Sequence, residues 1–491
     1  MHFPFPILTT IFCMPLMALI IILFIPEKND KAVKITALFF TSIAFVLSLV
    51  LFFSYDYKAG GLQFVERMSW IPAIGINYFM GVNGINITLV LLTGIIIVAG
   101  VLASWDVTYR PKEFFAFLLT LVTGVFGVFM AYNLFLFFLF YEIAVLPMYL
   151  LIGIWGTGKK EYAAMKLTLY LMVGSALILA GLLGLYFASG LHTFDFDALE
   201  KVSFDPTFQK IFFPILFTGF GILAAMWPFH TWSPDGHASA PTAVSMLHAG
   251  VLMKLGAYGC LVVAVYLLPE GAKFWLPVVA LLTIVNIVYG SFGATAQRDL
   301  KYIVAYSSVS HMGIVLLGIA SRNSIAISGA VLQMFSHGIM TGLFFGLVGM
   351  VYGRSHTRMI TEMSGLARKM PALAAFFVIT GLCSLGLPGL SGFVAELLVF
   401  VGAFRYNPLI AIICITGIVV TAFYVLRAVQ MIFFGKIKDP HHEHLTDANP
   451  VEFAALAILM FFIITIGFYP FYIMNVIHSA VLPIAIKLGG M

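Results

Sequence analysis

The chain has 491 residues, 62% apolar and 10% charged, with 26 Lys and Arg against 21 Asp and Glu for a net charge of +5. Soluble domains run near about 45–50% apolar and about 25% charged, so a water-soluble enzyme is excluded. The small, scattered positive excess also excludes a nucleic-acid footprint, which leaves a polytopic membrane protein.

A membrane helix takes about 20 apolar residues. Apolar runs between charged or Gly/Pro-rich breaks predict fourteen spans: 5–25, 34–54, 83–104, 114–130, 132–154, 164–188, 209–229, 243–267, 274–293, 302–320, 325–352, 371–400, 407–434 and 452–478. At about 20 residues each, fourteen spans need about 280 of the residues, leaving short loops and no room for an extramembrane catalytic domain. The first run has no basic leader and no small-residue cleavage site, so it reads as a retained span and not a signal peptide. The stretch 55–82 reads as a loop. At the joint near Asn133, only Ala131-Tyr132-Asn133 separates two long apolar runs. Cys13, Cys260, Cys383 and Cys414 lie in apolar runs without CxxC spacing, which argues for packing and against metal or cluster ligation.

With fourteen spans, both termini share one side and the odd-numbered loops share the other. Odd loops carry fifteen Lys and Arg, including Lys28, Arg110, Lys159, Arg298, Arg354 and Lys436; even loops and the C-terminus carry eight. The positive-inside bias places the odd loops in the cytoplasm and both termini outside.

Five acid or base groups remain within spans: Glu142, Lys166, Lys254, Glu396 and Arg427. A charge at mid-bilayer costs about 2.5–3.5 kcal/mol on insertion scales, and such residues usually face the bundle interior and mark an ion or proton path. Glu142 and Lys254 lie near the middle of their runs. Lys166 and Arg427 lie nearer the cytoplasmic ends, where a long side chain can snorkel. Two segments read as broken helices, WPFHTWSPDGHASAPTA (227–243) and SLGLPGLSGFVAELLVF (384–400), the second just before Glu396. Interrupted backbone at membrane depth is tolerated only beside protein or water, and a pair of such spans in corresponding halves points to an ion path.

His311 and His337 sit in apolar runs with hydroxyl neighbours, as groups suited either to proton exchange or to neutral helix packing. His248 precedes Lys254 by about two turns, and His230 and His237 belong to the first broken segment, where they relay protons or brace the loop. The run HHEH (441–444) reads as a solvated cytoplasmic loop.

Five ordered motifs carry a family resemblance: FYEIAVLPMYLLIGIWG, WPFHTWSPDGHASAPTAVSMLHAGVLMKLGAYG, QRDLKYIVAYSSVSHMG, LQMFSHGIMTGLFF and GLPGLSGFVAE. They resemble the antiporter-like subunits of respiratory complex I, most closely the M type, over about 110–480. Related subunits occur in Mrp-type cation/proton antiporters and membrane-bound hydrogenases. Glu396, where sister L- and N-type chains usually carry Lys, favours the M type. The resemblance implies an all-α fold of about fourteen membrane helices with two inverted five-helix repeats, here 109–267 and 268–434. These lie between N-terminal helices (1–108) and a last loop and helix (435–491), within one membrane domain. It further implies that Glu142 is the essential glutamate of the fifth helix, Lys254 the bridging lysine of the eighth and Glu396 the acid of the twelfth, with His311 and His337 on the axis. One position departs from the pattern. The family usually has a lysine seven residues before the histidine of its PxHxW motif, and here that residue is Leu223, with Ala225 in place of a motif proline. Glu142 is then expected to be modulated by Lys166, or by Lys254 through water.

No motif for NADH, flavin, iron–sulfur or haem is recognisable. Moving a proton against 100 mV takes about 2.3 kcal/mol, so the energy has to arrive from partner subunits. The implied role is a proton-translocating subunit of NADH:quinone oxidoreductase, with NADH, FMN, iron–sulfur clusters and quinone handled by partner chains and L-, N- and K-type membrane subunits as neighbours. The location implied is a bacterial inner membrane, multi-pass, with both termini periplasmic. A cation/proton antiporter subunit and a purely structural scaffold are the other classes.

Overall fold

The computed structural model describes residues 3–490. Two helices open the chain, α1 (Ile7–Phe24) and α2 (Asp30–Ser54), followed by strands β1 (Gln63–Ile71) and β2 (Ile76–Val82). Then come α3 (Asn86–Ala103), α4 (Pro111–Met130), α5 (Leu134–Trp155), α6 (Lys160–Ser189), α7 (Pro206–Leu223) and α8 (Trp232–Ser239). The helix α9 (Thr242–Val265) precedes α10 (Pro269–Ala296), α11 (Leu300–Ala320) and α12 (Ser324–Ser355). The chain ends with α13 (Pro371–Ser384), α14 (Ser391–Tyr406), α15 (Pro408–Phe433), α16 (Pro450–Phe468) and α17 (Phe471–Lys487). Thirteen of these helices are long and apolar enough to cross a membrane. The pair α13–α14, broken at 385–390, makes the fourteenth crossing, so the predicted number of spans stands.

The helix starts are written in the sequence. Asn29, Asn133, Asp205, Asp299, Asn323, Asn407 and Asn449 each cap a helix with a side-chain oxygen that accepts from amides in the first turn. Pro111, Pro206, Pro269, Pro371, Pro408 and Pro450 sit in first turns, where the missing N–H has no partner to lose.

Three expectations need correcting. The stretch read as a loop at 55–82 holds an antiparallel hairpin, with Glu66 opposite Met80 and Met68 opposite Tyr78. Its turn ends at Gly75, whose φ of +67° and approach to the His192 carbonyl leave no space for a Cβ. The last span ends at Phe468, not 478, because Tyr469 and Pro470 interrupt the run before α17 begins. The first break covers 224–231, earlier than the 227–243 expected, because Trp232–Ser239 folds as α8.

Cross-links between loops show which ends lie together. At one end Glu66 accepts from the Leu8 and Thr9 amides, Arg67 pairs with Asp195, and Lys487 donates to the Glu200 carbonyl. At the other end Lys112 donates to the Ile25 carbonyl, Trp155 to that of Tyr109, Arg358 pairs with Asp299 and Arg354 with Glu452. Even loops with both termini, and odd loops with each other, therefore occupy opposite ends, as the charge count requires. The joint at 131–133 is short because it runs as an extended bridge: Tyr132 N–H donates to the Phe79 carbonyl and Phe196 N–H to that of Tyr132.

At the centre α9 is wholly buried and α3, α11 and α12 almost so, whereas α1 and α2 are only one-third buried. Close approach at the centre depends on small residues, as is usual between membrane helices. A Cβ on Gly256 of α9 would lie 2.5 Å from the Phe220 carbonyl and the Ala224 amide of the α7 end.

Candidate functional site

Lys254 sits about 18 Å along α9 from Thr242, near mid-membrane. It lies in a seven-residue α-helical piece, Met253–Gly259, between π-helical stretches His248–Leu252 and Cys260–Val265. Single π turns inside α-helices concentrate at functional sites. The buried Lys254 ammonium donates back to the Ala249 carbonyl and lies 2.9 Å from His337 Nδ1 on α12. An ammonium only donates, so with Lys254 charged the His337 Nδ1 accepts and the ring proton sits on Nε2.

The line continues from His337 to His311 of α11, with ring centroids 5.3 Å apart. His311 Nδ1 is 3.0 Å from Glu396 Oε1, and its Nε2 is 3.1 Å from Ser384 Oγ at the end of α13. Gln333 donates to the same carboxylate oxygen at 3.2 Å. Both His311 and Glu396 are buried, at 2% and 3% exposure. A carboxylate accepts only, so Glu396 holds the neutral ring as the Nδ1–H tautomer, and Nε2, which then accepts from the Ser384 hydroxyl, is the nitrogen that can take up a proton. The break before α14 is what brings Glu396 here: residues 385–390 let Ser384 and Glu396, from two helix pieces, meet the same imidazole.

The structure thus joins four of the six expected site residues, Lys254, His337, His311 and Glu396. Lys166 and Glu142 stand apart. Lys166 Nζ pairs with Asp235 Oδ2 of α8 at 2.7 Å, and Tyr302 donates to the other oxygen of Asp235 at 3.1 Å. The expectation that Lys166 modulates Glu142 finds no contact, because α8 supplies a nearer acid. Glu142 is half-buried in a crevice on the flank of the chain, lined by Thr120, Leu146, Thr168, Met172 and Ser175 of α4, α5 and α6. Its Oε1 has no hydrogen-bond partner among the described residues. Leu223, at the position usual for the lysine, is the buried last residue of α7.

The His237 and His248 rings lie tilted against each other with centroids 4.2 Å apart. None of their ring nitrogens, nor those of His230, has a protein partner among the described residues. Arg427 donates to the Gln297 carbonyl at 3.0 Å, a snorkelling arrangement as expected. In the HHEH run His442 is buried, against the expectation of a solvated loop, while His441, Glu443 and His444 are exposed. Among the described residues no three His, Cys, Asp or Glu converge as for a metal ion. Sequence reading passed over Gln333 and Ser384. Gln333 lies one helical turn before His337, so the i, i+4 spacing already put it on the same face of α12.

A family model described as "NADH:quinone oxidoreductase/Mrp antiporter, TM" matches residues 131–422, a range that holds all six residues named above. The chain belongs to this family. Among its relatives is an "NAD(P)H-quinone oxidoreductase chain 4" of Gloeobacter violaceus, 41% identical over 95% of this chain and 90% of that protein. Another, of Synechococcus elongatus, is 41% identical over 95% of this chain and 89% of its own length. A chain of "Respiratory complex I from Thermus thermophilus with bound NADH" superposes with a TM-score of 0.91 at 26% identity, covering 99% of this chain and 100% of that one. A chain of the Mrp complex from a Dietzia species shares the fold, with a TM-score of 0.81 at 19% identity over 97% of this chain and 95% of that one. The antiporter-like family is therefore shown both by sequence and by architecture.

Proposed function

We propose that the chain is the proton-translocating M-type membrane subunit of an NAD(P)H–quinone oxidoreductase. The carrying observation is the buried line Lys254–His337–His311–Glu396, which crosses from α9 to α14 with hydrogen-bond contacts at both ends. The names of the relatives and the complex I superposition support the assembly. Redox chemistry is assigned to partner subunits that hold NADH, FMN, iron–sulfur clusters and quinone, and neighbouring L-, N- and K-type chains complete the membrane arm. The location that fits the loop charges is a bacterial inner membrane with both termini periplasmic.

The mechanism is electrostatic. A proton reaching His311 Nε2 turns the ring into an imidazolium held by Glu396, and the new charge beside His337 disfavours a charged Lys254. Protonation at one end of the line thus promotes release at the other, and the partner subunits supply the perturbation that sets the direction. Glu142, open to the flank of the chain, is the group an adjoining subunit would bias.

The test is proton uptake by proteoliposomes containing the assembled complex, with NADH oxidation recorded in parallel. Glu142→Gln and Lys254→Met are expected to abolish most of the uptake carried by this chain while the complex stays assembled and most NADH oxidation remains. Wild-type uptake in both variants overturns the reading. For a cation/proton antiporter subunit the support is the shared fold and a family description that spans both kinds of complex. A sodium ion takes several hard oxygen ligands, whereas the buried line offers one carboxylate.

A further inference from the structure

A cavity of about 240 Å³ lies away from the line just described, at the end of the bundle that carries both termini. Much of its wall is aromatic: Tyr132 of the α4–α5 joint, Phe196 of the α6–α7 loop, Tyr258 of α9 and Tyr266 just beyond it. The rings hold one another in place. Phe196 meets Tyr132 edge-on with centroids 5.3 Å apart and stacks on Tyr266 at 5.9 Å, with 7° between the planes. Tyr258 in turn packs on Phe129 and Phe137. Two carboxylates of the α6–α7 loop, Asp197 and Glu200, also line the space.

The charges around it do not balance. Arg67 pairs with the buried Asp195 and lies 3.5 Å from one oxygen of Asp197. The other Asp197 oxygen is buried without a partner among the described residues. The Glu200 carboxylate accepts from the Tyr266 hydroxyl at 3.1 Å, its one hydrogen bond among the described residues. Lys487 donates to the Glu200 backbone carbonyl, not to the carboxylate, and its ammonium lies 3.9 Å from the centre of the Tyr266 ring. Asp195, Asp197 and Glu200 against Arg67 and Lys487 leave one negative charge. The position of Lys487 also shows that a ring of this wall already takes an ammonium on its face.

The chemistry of an occupant follows. An anion would face two carboxylates. A hard metal cation takes about six or more oxygen ligands, and among the described residues no three acidic or imidazole groups converge. Drug-sized ligands fill about 300–1,000 Å³, so this space suits a small group. Aromatic faces attract organic cations, most strongly where water is excluded, and quaternary ammonium ions are held in this way. We propose that the cavity binds a small alkylammonium group about the size of choline, its charge facing Asp197 and Glu200 and its carbon atoms against the Tyr132, Tyr258 and Tyr266 rings. A free amine and the head group of a zwitterionic lipid in the adjoining leaflet share this chemistry. The site stands apart from the Lys254–Glu396 line, so its failure leaves the translocation reading untouched.

The experiment uses the assembled complex carrying Val263→Cys, at a position that lines the cavity, in nanodiscs of phosphatidylglycerol, a lipid without an ammonium. The rate at which the introduced thiol reacts with a small thiol reagent is followed by peptide mass. It is measured at constant ionic strength against rising choline, and against dimethylbutanol, in which carbon replaces the charged nitrogen. Choline is expected to slow the reaction to a plateau and dimethylbutanol to leave it unchanged, with the choline Kd raised about tenfold in Glu200→Gln. Slowing by phosphatidylcholine nanodiscs without added choline, lost in Glu200→Gln, supports the site and assigns its ammonium to a lipid head group. Equal rates under all conditions overturn the proposal, as does equal slowing by choline and dimethylbutanol. Slowing by choline that is unchanged in both Glu200→Gln and Asp197→Asn overturns it too. If Val263→Cys does not assemble, calorimetric titration of the wild-type and Glu200→Gln complexes with choline, and with dimethylbutanol, decides by the same criteria.

Discussion

Replacing Glu396 by Gln isolates the charge of the His311–Glu396 pair. Gln nearly keeps the volume and keeps an oxygen for Gln333, but it removes the carboxylate that lies 3.0 Å from His311 Nδ1. With an effective dielectric of about 20, two unit charges at that distance interact by about 5 kcal/mol. One elementary charge crossing 100 mV needs about 2.3 kcal/mol, so the pair is strong enough to gate a proton against a working membrane potential. Each 1.36 kcal/mol removed from a transfer step is worth about tenfold in rate. Proton transfer through this chain is therefore expected to slow by at least about tenfold in Glu396→Gln. The assay is proteoliposome proton uptake per NADH oxidised, with assembly checked by native electrophoresis. Glu396→Asp, which keeps the charge on a shorter arm, is expected to recover part of the loss. Wild-type uptake in both Glu396→Gln and His311→Ala would refute the electrostatic reasoning.

Gly256→Ala forces a methyl into the backbone of the α7 end, and overpacking of this kind costs about 1–3 kcal/mol; a lower thermal midpoint of the assembled complex is expected, and an unchanged one would show that α7 can yield. The Lys166–Asp235 pair is partly exposed, at 19% and 25%, so Lys166→Met is expected to cost no more than about 1 kcal/mol of stability and to leave Glu142-dependent uptake intact; lost uptake would restore a link between Lys166 and Glu142. Asp205 caps α7 from outside the membrane, and the Phe208 and Thr207 amides hold its carboxyl below the usual carboxylate value. Because that value is lowered by folding, the stabilisation is present above the unfolded value and lost as pH falls through the folded one. Thermal stability attributable to Asp205 should thus be flat from pH 5 to 8 and decline only in more acidic buffer, and Asp205→Asn, which keeps the accepting oxygen, should remove that decline.

The spans were legible because each is a long apolar run ended by an Asn or Asp cap, a first-turn proline or a charge, all of which are local signals. Lys254, His337, His311 and Glu396 were legible for a different reason: a charge or imidazole in a membrane span is costly enough to stand out alone. Their order in space was not legible. That Lys166 takes Asp235 depends on where α8 turns after the break, and that Glu142 faces the flank depends on the rotation of α5 about its axis. The hairpin was hidden because β1 alternates weakly and is largely exposed, so its register is set by β2 and by contacts with Asp195 that lie more than 100 residues away.

That same Asp195 bears on how the molecule can move. Buried at 1% exposure, it pairs with Arg67 and accepts from Asn77 at 2.6 Å and Asn133 at 2.8 Å, fastening the hairpin, the α4–α5 joint and the α6–α7 loop at one point. Arg67 is half exposed, but leaving the buried carboxylate without its donors still costs upward of about 1–3 kcal/mol, comparable with the 2.3 kcal/mol or so that one charge gains across 100 mV. Tilting one half of the bundle against the other at this end would cost about as much as a single proton returns. The chain is therefore a stator, a stiff housing in which side chains and water do the moving while the helices hold still.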